Sequence, residues 1–478
     1  MSLAIHWFRQ DLRLDDQDAL WHTLEHHSNL VPLFILDPNS PAPLGAASRW
    51  WLHHSLKALD EALRKKGSRL ILRRGAPGAV LEALIRQTGA KALTWSRRYD
   101  PAGLAEDLHL KSRFRAEGLA IRSFNGLLLR EPWTHLKADG SPFRVFTPFF
   151  KGYLNGLALE VPRDCPLRLP VVPQDLDSEP LEALGLLPKI PWDLGFRDCW
   201  QPGESGALSR SQKFLGQAVF DYRSFRDYPD RPGTSCLSPH LHFGEISPRR
   251  LLQQIYAAGD PDHPGLSTFL KEIGWREFGY SLLYHFPKTL DRPLDSKFDA
   301  FPWDNNPWAL KAWQQGQTGY PIIDAGMREL WHTGWMHNRV RMIVASFLTK
   351  NLLIPWQQGA AWFWDTLVDA DLASNTLGWQ WTAGCGADAA PYFRVFNPVL
   401  QGERFDPEGR YVRRWVPELD RVPAEWIHRP FERSPTDRLS AGLRLGENYP
   451  EPLVDLAVSR TRALEIFAAL RQAPDAGA

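Results

Sequence analysis

The stretch from Trp335 to Trp381 runs WMHNRVRMIVASFLTKNLL, IPWQQGAAWFWDTLVDADLASN and TLGWQW, and the rest of the chain is organised around it. Its first part has helical periodicity, because apolar residues recur at the spacing of one helix face. This apolar stripe, which should face a core, consists of Met336, Val340, Ile343 and Phe347. The opposite side of the same helix carries Asn338, Arg341, Met342 and Ala345, with Arg339 beside them.

The polar side of this helix has two interpretations. It could be an ordinary solvated face, but no Glu or Asp stands at helical spacing to pair with Arg339 or Arg341. Acids, an amide and indoles follow further along the chain: Asp369, Asp371, Asn375, Trp379 and Trp381. Such a set suits a flat aromatic cofactor with polar edges. Because an arginine in an apolar interior is costly unless it is paired, we expect a buried ion pair between Arg341 and Asp369.

Composition indicates an ordinary soluble protein. The chain has 478 residues, of which 44% are hydrophobic and 23% charged, enough for two or three domains. It contains no apolar run long enough to span a membrane, and the N-terminus MSLAIHWFRQDLRL is charged too early for a signal peptide. We therefore expect a cytoplasmic protein with no membrane partner. The 4 cysteines form no CxxC, which argues against a metal site and against a disulfide framework.

The first third of the chain has the pattern of an α/β domain. Short β-type runs occur at 3–8, 30–36, 70–73, 92–95 and 120–124. Helical patterns alternate with them, the clearest carrying Leu52, Leu56, Leu59 and Leu63 and ending at Lys65-Lys66-Gly67. Strands that alternate with helices predict a parallel sheet with helices on its faces. A proline-rich connector follows at 131–201, and the chain then becomes helical.

Two further segments are candidates for a site. In GTSCLSPHLHFGEISPRR, residues 233–250, Thr234, Ser235 and Ser238 could form a phosphate cradle, although a turn that caps a helix is the commoner arrangement. In KEIGWREFGY, residues 271–280, Glu272, Trp275, Arg276 and Glu277 lie within about one and a half helical turns. Intrahelical ion pairs around a core tryptophan are the alternative there. The total of 21 tryptophans also raises the question of whether indoles serve stacking or electron transfer.

Eight motifs occur in order: FRQDLRLDD, GTSCLSPHLHFGEISP, IGWREF, TGYPIIDAGMREL, TGWMHNRVRM, DADLASN, GWQW and DAAPYFRVFNP. With them the chain resembles the photolyase/cryptochrome family, and within it most closely the class I cyclobutane pyrimidine dimer photolyases. The resemblance implies a Rossmann-like parallel-sheet domain of the antenna type at 1–130, the connector at 131–201, and an all-helical FAD- and DNA-binding domain at 202–470.

The resemblance also implies roles for individual residues around FAD. The phosphates and neighbouring groups would be held by Tyr222, Thr234, Ser235, Leu237 and Ser238. The isoalloxazine would be lined by Asn338, Arg341, Asp369, Asp371 and Asn375, with Asn375 at flavin N5. An electron would travel from the surface to photoexcited FAD along Trp303, Trp356 and Trp379.

On the substrate side, the family splits a flipped pyrimidine dimer with an electron from photoexcited FADH⁻, and no side chain acts as a nucleophile. Base flipping costs on the order of a few kcal/mol and least at damaged sites. The dimer and its DNA would be contacted by Glu272, Trp275, Arg276, Asn338, Arg339, Met342, Trp381 and Gln401. Glu272 and Asn375 join the tryptophan relay as the catalytic set. The implied partner is damaged DNA, bound by a monomer.

Subfamily and antenna are the points on which the resemblance is least complete. A (6–4) photolyase carries a histidine pair where this chain has Asn338 and Met342, and plant cryptochromes carry Asp at Asn375. A cryptochrome-like receptor without repair, or an α/β nucleotide-binding module fused to a helical interaction domain, are the alternatives. Pro101-Ala102 stands where folate-binding enzymes have an Asn-Glu pair, so the antenna could be methenyltetrahydrofolate, a deazaflavin, another flavin or absent. Candidates for lining its cleft are Arg9, Asp11, Arg49 and Trp51.

Overall fold

The computed structural model describes residues 2–157, 160–392 and 394–472. A parallel sheet of five strands in order β3-β2-β1-β4-β5 lies within them. The strands are β1 Leu3–Phe8, β2 Asn29–Leu36, β3 Ile71–Arg74, β4 Ala92–Ser96 and β5 Ala120–Phe124. Each boundary lies within one residue of the prediction. Strands β1, β2 and β4 are mostly buried, as expected for a parallel sheet covered on both faces.

Four helices connect the strands: α1 Asp18–His26, α2 Ala46–Lys65, α3 Pro77–Thr88 and α4 Pro101–Ala116. The predicted leucine stripe of α2 is confirmed, because all four leucines are buried. The chain turns away just after α2 at Gly67, whose φ of +87° lies in the left-handed region that glycine enters without a steric penalty.

Helices dominate the chain beyond residue 201, as predicted, and further helices lie within the stretch 131–201 that was predicted as a connector. Those of the middle segment are α5 Phe146–Leu154, α6 Leu194–Cys199, α7 Glu204–Lys213, α8 Tyr222–Phe225, α9 Ser238–His242, α10 Pro248–Ala258 and α11 Pro264–His285. Those that follow are α12 Pro307–Gln314, α13 Pro321–Thr333, α14 Asn338–Ser346, α15 Trp356–Thr366, α16 Leu372–Ala383, α17 Pro398–Phe405, α18 Arg410–Trp415, α19 Pro435–Ser440 and α20 Leu456–Gln472. The α/β fold with a helical C-terminal half is therefore confirmed.

The chain divides into two compact units. The first comprises 1–220, 235–287 and 368–370, and the second comprises 221–234, 288–367 and 371–478. The predicted domain limits at 130 and 201 stay a prediction. None of the helices in the described ranges is both long and apolar enough to cross a membrane. Nor does that part of the chain bring three His, Cys, Asp or Glu side chains together in a way that could hold a metal ion.

Candidate functional site

Helix α14 is the predicted central helix. It begins at Asn338 because His337 caps it, with its Nδ1 accepting the Arg339 N–H at 3.2 Å. The four residues of the predicted apolar stripe are all buried, and a π-helical turn at Phe347–Asn351 follows the helix. On the other side Asn338 is exposed and Met342 partly exposed, whereas Ala345 is buried. The accessible side is therefore shorter than the sequence predicts, covering the first turns only.

The Arg341 side chain is held near the N-terminus of α14. Its Nε donates to the Met336 carbonyl at 2.7 Å, and its guanidinium lies 5.8 Å from the centroid of the Trp335 ring. On α13, Glu329 accepts the Tyr411 hydroxyl at 2.6 Å and the His337 N–H at 3.3 Å. Burial raises the pKa of Glu329 to about 7, because desolvation of the charged carboxylate outweighs the hydrogen bonds and the nearby arginine charges that lower it. The ion pair between Arg341 and Asp369 stays a prediction.

Arg339 has partners within its own unit. It forms an ion pair with Asp227 at 2.9 Å, and its guanidinium lies 4.5 Å from the centroid of the Phe405 ring. Its side chain is 19% exposed, so part of it reaches solvent. The contact with a DNA backbone stays a prediction, and it would have to coexist with the Asp227 pair.

Helix α16 carries the next group of predicted residues. Asp371 is its N-cap and accepts the Ser374 N–H at 2.8 Å. One turn further on, Asn375 donates from Nδ2 to the Ala360 carbonyl at 3.0 Å. This bond fixes the orientation of the Asn375 amide while the side chain stays partly exposed. An amide held in this way is suited to meeting a polar ring edge in one defined orientation.

Trp379 is the most unusual side chain of α16. It is 2% exposed, and a Cβ added at Gly359 would lie 2.1 Å from its ring, so only glycine fits there. The ring centroids of Phe363 and Trp313 are 5.0 and 6.2 Å away. Within the described ranges, its buried Nε1–H has no hydrogen-bond partner. An orphaned buried donor of this kind costs free energy.

Of the other two members of the predicted relay, Trp356 is as buried as Trp379 and only Trp303 reaches solvent. Trp356 is buried and stands at the start of α15, three residues before Gly359, which is about 4.5 Å along the helix axis. Trp303 is partly exposed, and its ring centroid lies 4.3 Å from that of Phe301. The relay stays a prediction. Trp313, which packs edge-on against Trp379, was missed because no spacing in the sequence sets it apart from other tryptophans.

The predicted phosphate cradle contains an unusual turn. Cys236 has a φ of +50°, and Leu237 follows in the right-handed helical region, at φ −88° and ψ −4°. Consecutive left- and right-handed residues turn their N–H groups toward one concavity, which is a known anion-binding arrangement. Ser238 begins α9 and donates from Oγ to Asp369 at 2.6 Å. The sequence pointed to the hydroxyls here but missed Cys236, whose backbone makes the turn.

Thr234 and Tyr222 also belong to the set of residues predicted to hold the FAD phosphates and neighbouring groups. Thr234 is partly exposed, whereas Tyr222 is buried at the start of α8 with the Arg226 guanidinium 5.2 Å from its ring centroid. Backbone donors and hydroxyls of this kind suit the phosphate end of a cofactor.

Helix α11 holds a mixture of structural and accessible residues. Arg276 donates to the Leu127 carbonyl at 2.9 Å and pairs with Glu277 at 3.2 Å. Glu277 is buried and also accepts the Leu129 N–H, and its burial raises its pKa. These two residues follow the structural interpretation, so a DNA contact by Arg276 stays a prediction. Glu272 and Trp275 are partly exposed.

The remaining predicted contact residues are Trp381 on α16 and Gln401 on α17. Both are partly exposed. Their roles toward DNA stay predictions, because position and exposure are compatible with many ligands.

Comparison with known families identifies the family to which the chain belongs. The model described as DNA photolyase matches residues 4–167, and the model described as FAD binding domain of DNA photolyase matches residues 269–469. The chain belongs to the photolyase/cryptochrome family. The family resemblance and the FAD-binding domain predicted from sequence are confirmed.

Relatives within the family extend over the whole chain. A deoxyribodipyrimidine photo-lyase of Agrobacterium fabrum is 49% identical, with 98% of each chain covered. Cryptochrome-2 of Arabidopsis thaliana is 40% identical over 99% of this chain and 81% of its own length. A solved bacterial class III photolyase from Agrobacterium tumefaciens has 48% identity and a TM-score of 0.96, covering 99% of this chain and 98% of its own. The prediction of a photolyase enzyme is confirmed, but this structural relative is of class III and lends no support to class I.

Proposed function

We propose that the protein is a light-dependent DNA repair enzyme that splits cyclobutane pyrimidine dimers. The observation that carries the proposal is the accessible side of α14. Asn338 and Met342 lie one turn apart there, exposed and partly exposed, while the opposite side of the helix is buried. An amide can hydrogen-bond the polar edge of a pyrimidine, and a thioether packs against its apolar part.

Bound FAD, in its fully reduced form, would supply the photoexcited electron, and the chain's own residues would bind and orient it. The turn at Cys236–Ser238 would receive the phosphates on its backbone N–H groups. Asn375, oriented by the Ala360 carbonyl, would meet the flavin ring at N5. Arg341 and Asp371 would line the polar edges of the ring. Trp379, buried and without a hydrogen-bond partner for its N–H in the described ranges, would be the inner end of the relay.

The test uses purified holoprotein with its flavin shown spectroscopically to be reduced. It is mixed with an oligonucleotide that holds one thymine dimer and is kept either in the dark or under near-UV or blue light. We expect thymines to be restored in the illuminated sample alone. Absence of repair with confirmed reduced flavin would contradict the proposal.

A receptor function is the second candidate, because Cryptochrome-2 of Arabidopsis thaliana is 40% identical to the chain. A receptor would be photoreduced but would not need to distinguish dimer-containing from intact DNA. A preference for the dimer that weakens as salt is added would favour repair, since phosphate contacts are salt-dependent. Equal affinity for both DNAs together with efficient photoreduction would favour the receptor.

Finer properties follow from the same assignment. We infer class III and not class I, because the 48% identical structural relative is of class III. The partner is DNA that contains pyrimidine dimers, bound by a cytoplasmic monomer. A second antenna chromophore, methenyltetrahydrofolate or a deazaflavin, is left open, and an absorption spectrum of the purified holoprotein distinguishes these cases because each chromophore has its own bands.

A further inference from the structure

One face of the Trp275 indole is covered by Phe146, which was not among the predicted site residues. Trp275 lies in the middle of α11 and is partly exposed, whereas Phe146, the first residue of α5, is only 7% exposed. Their ring centroids are 3.8 Å apart and their planes are inclined by 7°. Phe146 therefore lies flat against one side of the indole, in the parallel arrangement that aromatic pairs use for stacking.

Phe146 is itself held in place by the packing of α5 on α11. Its ring is stacked on Phe150 at 5.4 Å and meets Phe278 edge-on at 5.9 Å. A Cβ at Gly274 would lie 2.3 Å from the Phe150 ring, so the glycine allows the two helices to approach closely beside Trp275. The stacked pair is thus built on a tight helix contact and not on a mobile loop.

The far end of α5 is fixed by polar contacts. The hydroxyl of Tyr153 donates to the buried carboxylate of Glu277, which lies less than one turn after Trp275 on α11. Glu277 also accepts the Leu129 N–H at 3.0 Å and pairs with Arg276 at 3.2 Å. Because α5 is attached at both ends, Phe146 can move little relative to the indole.

We propose that Phe146 is a positioning residue for substrate, which holds the Trp275 indole in one plane so that its other face stacks on an extruded pyrimidine pair. This inference rests on the proposed dimer-repair function and assigns part of its lesion selectivity to Phe146. An indole with two open faces would lose side-chain freedom when the substrate binds, and that loss weakens binding. An indole already fixed against Phe146 has lost that freedom during folding.

The experiment compares three variants by equilibrium binding to dimer-containing and intact DNA in the dark. Phe146→Leu keeps the apolar volume but removes the flat ring, and we expect its affinity for the dimer to fall roughly three- to tenfold while its affinity for intact DNA stays unchanged. Phe146→Tyr keeps the ring and should restore the wild-type value. Phe149→Leu, which removes a buried ring of the same helix packed against Phe278 and Tyr153, is the matched control and should not alter selectivity.

A double-mutant cycle with Trp275→Ala separates positioning from general packing. If Phe146 acts through the indole, Phe146→Leu has no further effect on dimer binding once Trp275 is absent. Repair by reduced enzyme at saturating DNA should also be unchanged in Phe146→Leu, because the residue affects binding and not the electron-transfer step. Should the leucine variant fail to fold, Phe146→Met replaces it as a flexible apolar side chain without a flat face.

The outcomes distinguish this inference from the proposed function. Wild-type protein that binds both DNAs equally contradicts dimer repair itself. Wild-type selectivity that survives Phe146→Leu, or a loss that persists in the Trp275→Ala background, overturns the role of Phe146 and leaves the repair function standing.

Discussion

Two regions of the molecule contain arginine, carboxylate and tryptophan side chains, but their buried polar groups are hydrogen-bonded differently. Beside the sheet, the Arg9 guanidinium pairs with Asp107 at 2.8 Å and donates to the Ser96 carbonyl, while Trp95 Nε1 donates to the same Asp107 at 3.0 Å. Around α13–α16, the buried carboxylate of Glu329 receives neutral donors, and the buried N–H of Trp379 lacks a partner in the described ranges.

The two regions differ in how their buried polar groups are paired. In the Arg9 cluster each charged or polar group is satisfied by another, which leaves little for a ligand to bind. The same holds for Trp51, proposed from sequence for an antenna cleft, which is fully buried and donates to Glu245 at 3.0 Å. The helical region keeps the Trp379 N–H without a partner in the described ranges and a Glu329 carboxylate whose pKa is raised by burial, and groups with perturbed pKa values are enriched at functional sites. Within the same part of the chain, unpartnered buried donors also occur beside the sheet, for example the Trp7 Nε1–H, so the raised pKa of Glu329 is the clearer difference.

The largest change in the free energy of unfolding is expected when a member of the Arg9 cluster is removed. Asp107→Ala removes the nearer carboxylate that pairs with Arg9, whose side chain is 6% exposed, and within the described residues leaves it only Glu106 at 3.6 Å. The substitution also removes the acceptor of Trp95. We expect the free energy of unfolding to fall by about 3–5 kcal/mol, measured by urea denaturation.

The control for this prediction is Arg86→Ala, which removes an ion pair whose arginine is 75% exposed. It should change the unfolding free energy by less than about 1 kcal/mol. Similar losses in both variants would show that the Arg9 cluster is not the buried charge network described above.

An intermediate effect on the free energy of unfolding is expected when Glu329 is changed. Burial raises the pKa of Glu329 to about 7, so between its ordinary value and pH 7 the folded state binds more protons than the unfolded state. Stability attributable to this group is therefore greatest below its ordinary pKa and is lost as pH rises through 7. Glu329→Gln should remove this fall and make the protein more stable above pH 7 by on the order of 2 kcal/mol.

Unfolding free energies from pH 5 to 8 test this expectation. Tyr411→Phe is the complementary variant, because losing the hydroxyl that donates to Glu329 should raise the pKa of Glu329 further and extend the fall to higher pH. Parallel pH profiles for wild type and Glu329→Gln would show that the carboxylate does not titrate in this range.

The smallest change in the free energy of unfolding is expected for Trp379, whose substitution bears most directly on function. Trp379→Phe loses no hydrogen bond within the described ranges, so stability should change little, whereas photoreduction of oxidised FAD should slow by roughly tenfold or more. Repair by chemically reduced enzyme should stay nearly intact. Trp95→Phe is the matched control, because it loses the bond to Asp107 and should lower stability without slowing photoreduction. Equal loss of photoreduction and repair in Trp379→Phe would contradict the relay.

The local pattern of the chain determined most of the fold. The strand runs, the leucine stripe of α2 and the apolar side of α14 were predicted, because a side chain's face within a helix or strand follows from its position in the sequence. The ordered motifs likewise identified the family and the FAD-binding half. These features depend on residues that are neighbours in the chain, so no distant contact is needed to recognise them.

Tertiary structure decided which charged side chains are paired with other residues of the protein. Arg9 and Arg339 resemble free cations in the sequence, but Asp107 and Asp227 pair with them in the fold. Phe146 reaches Trp275 across 129 positions of sequence, and no periodicity links them. Burial, pairing and pKa are set by whichever side chains the fold brings within a few ångströms, and a linear sequence does not specify those distances.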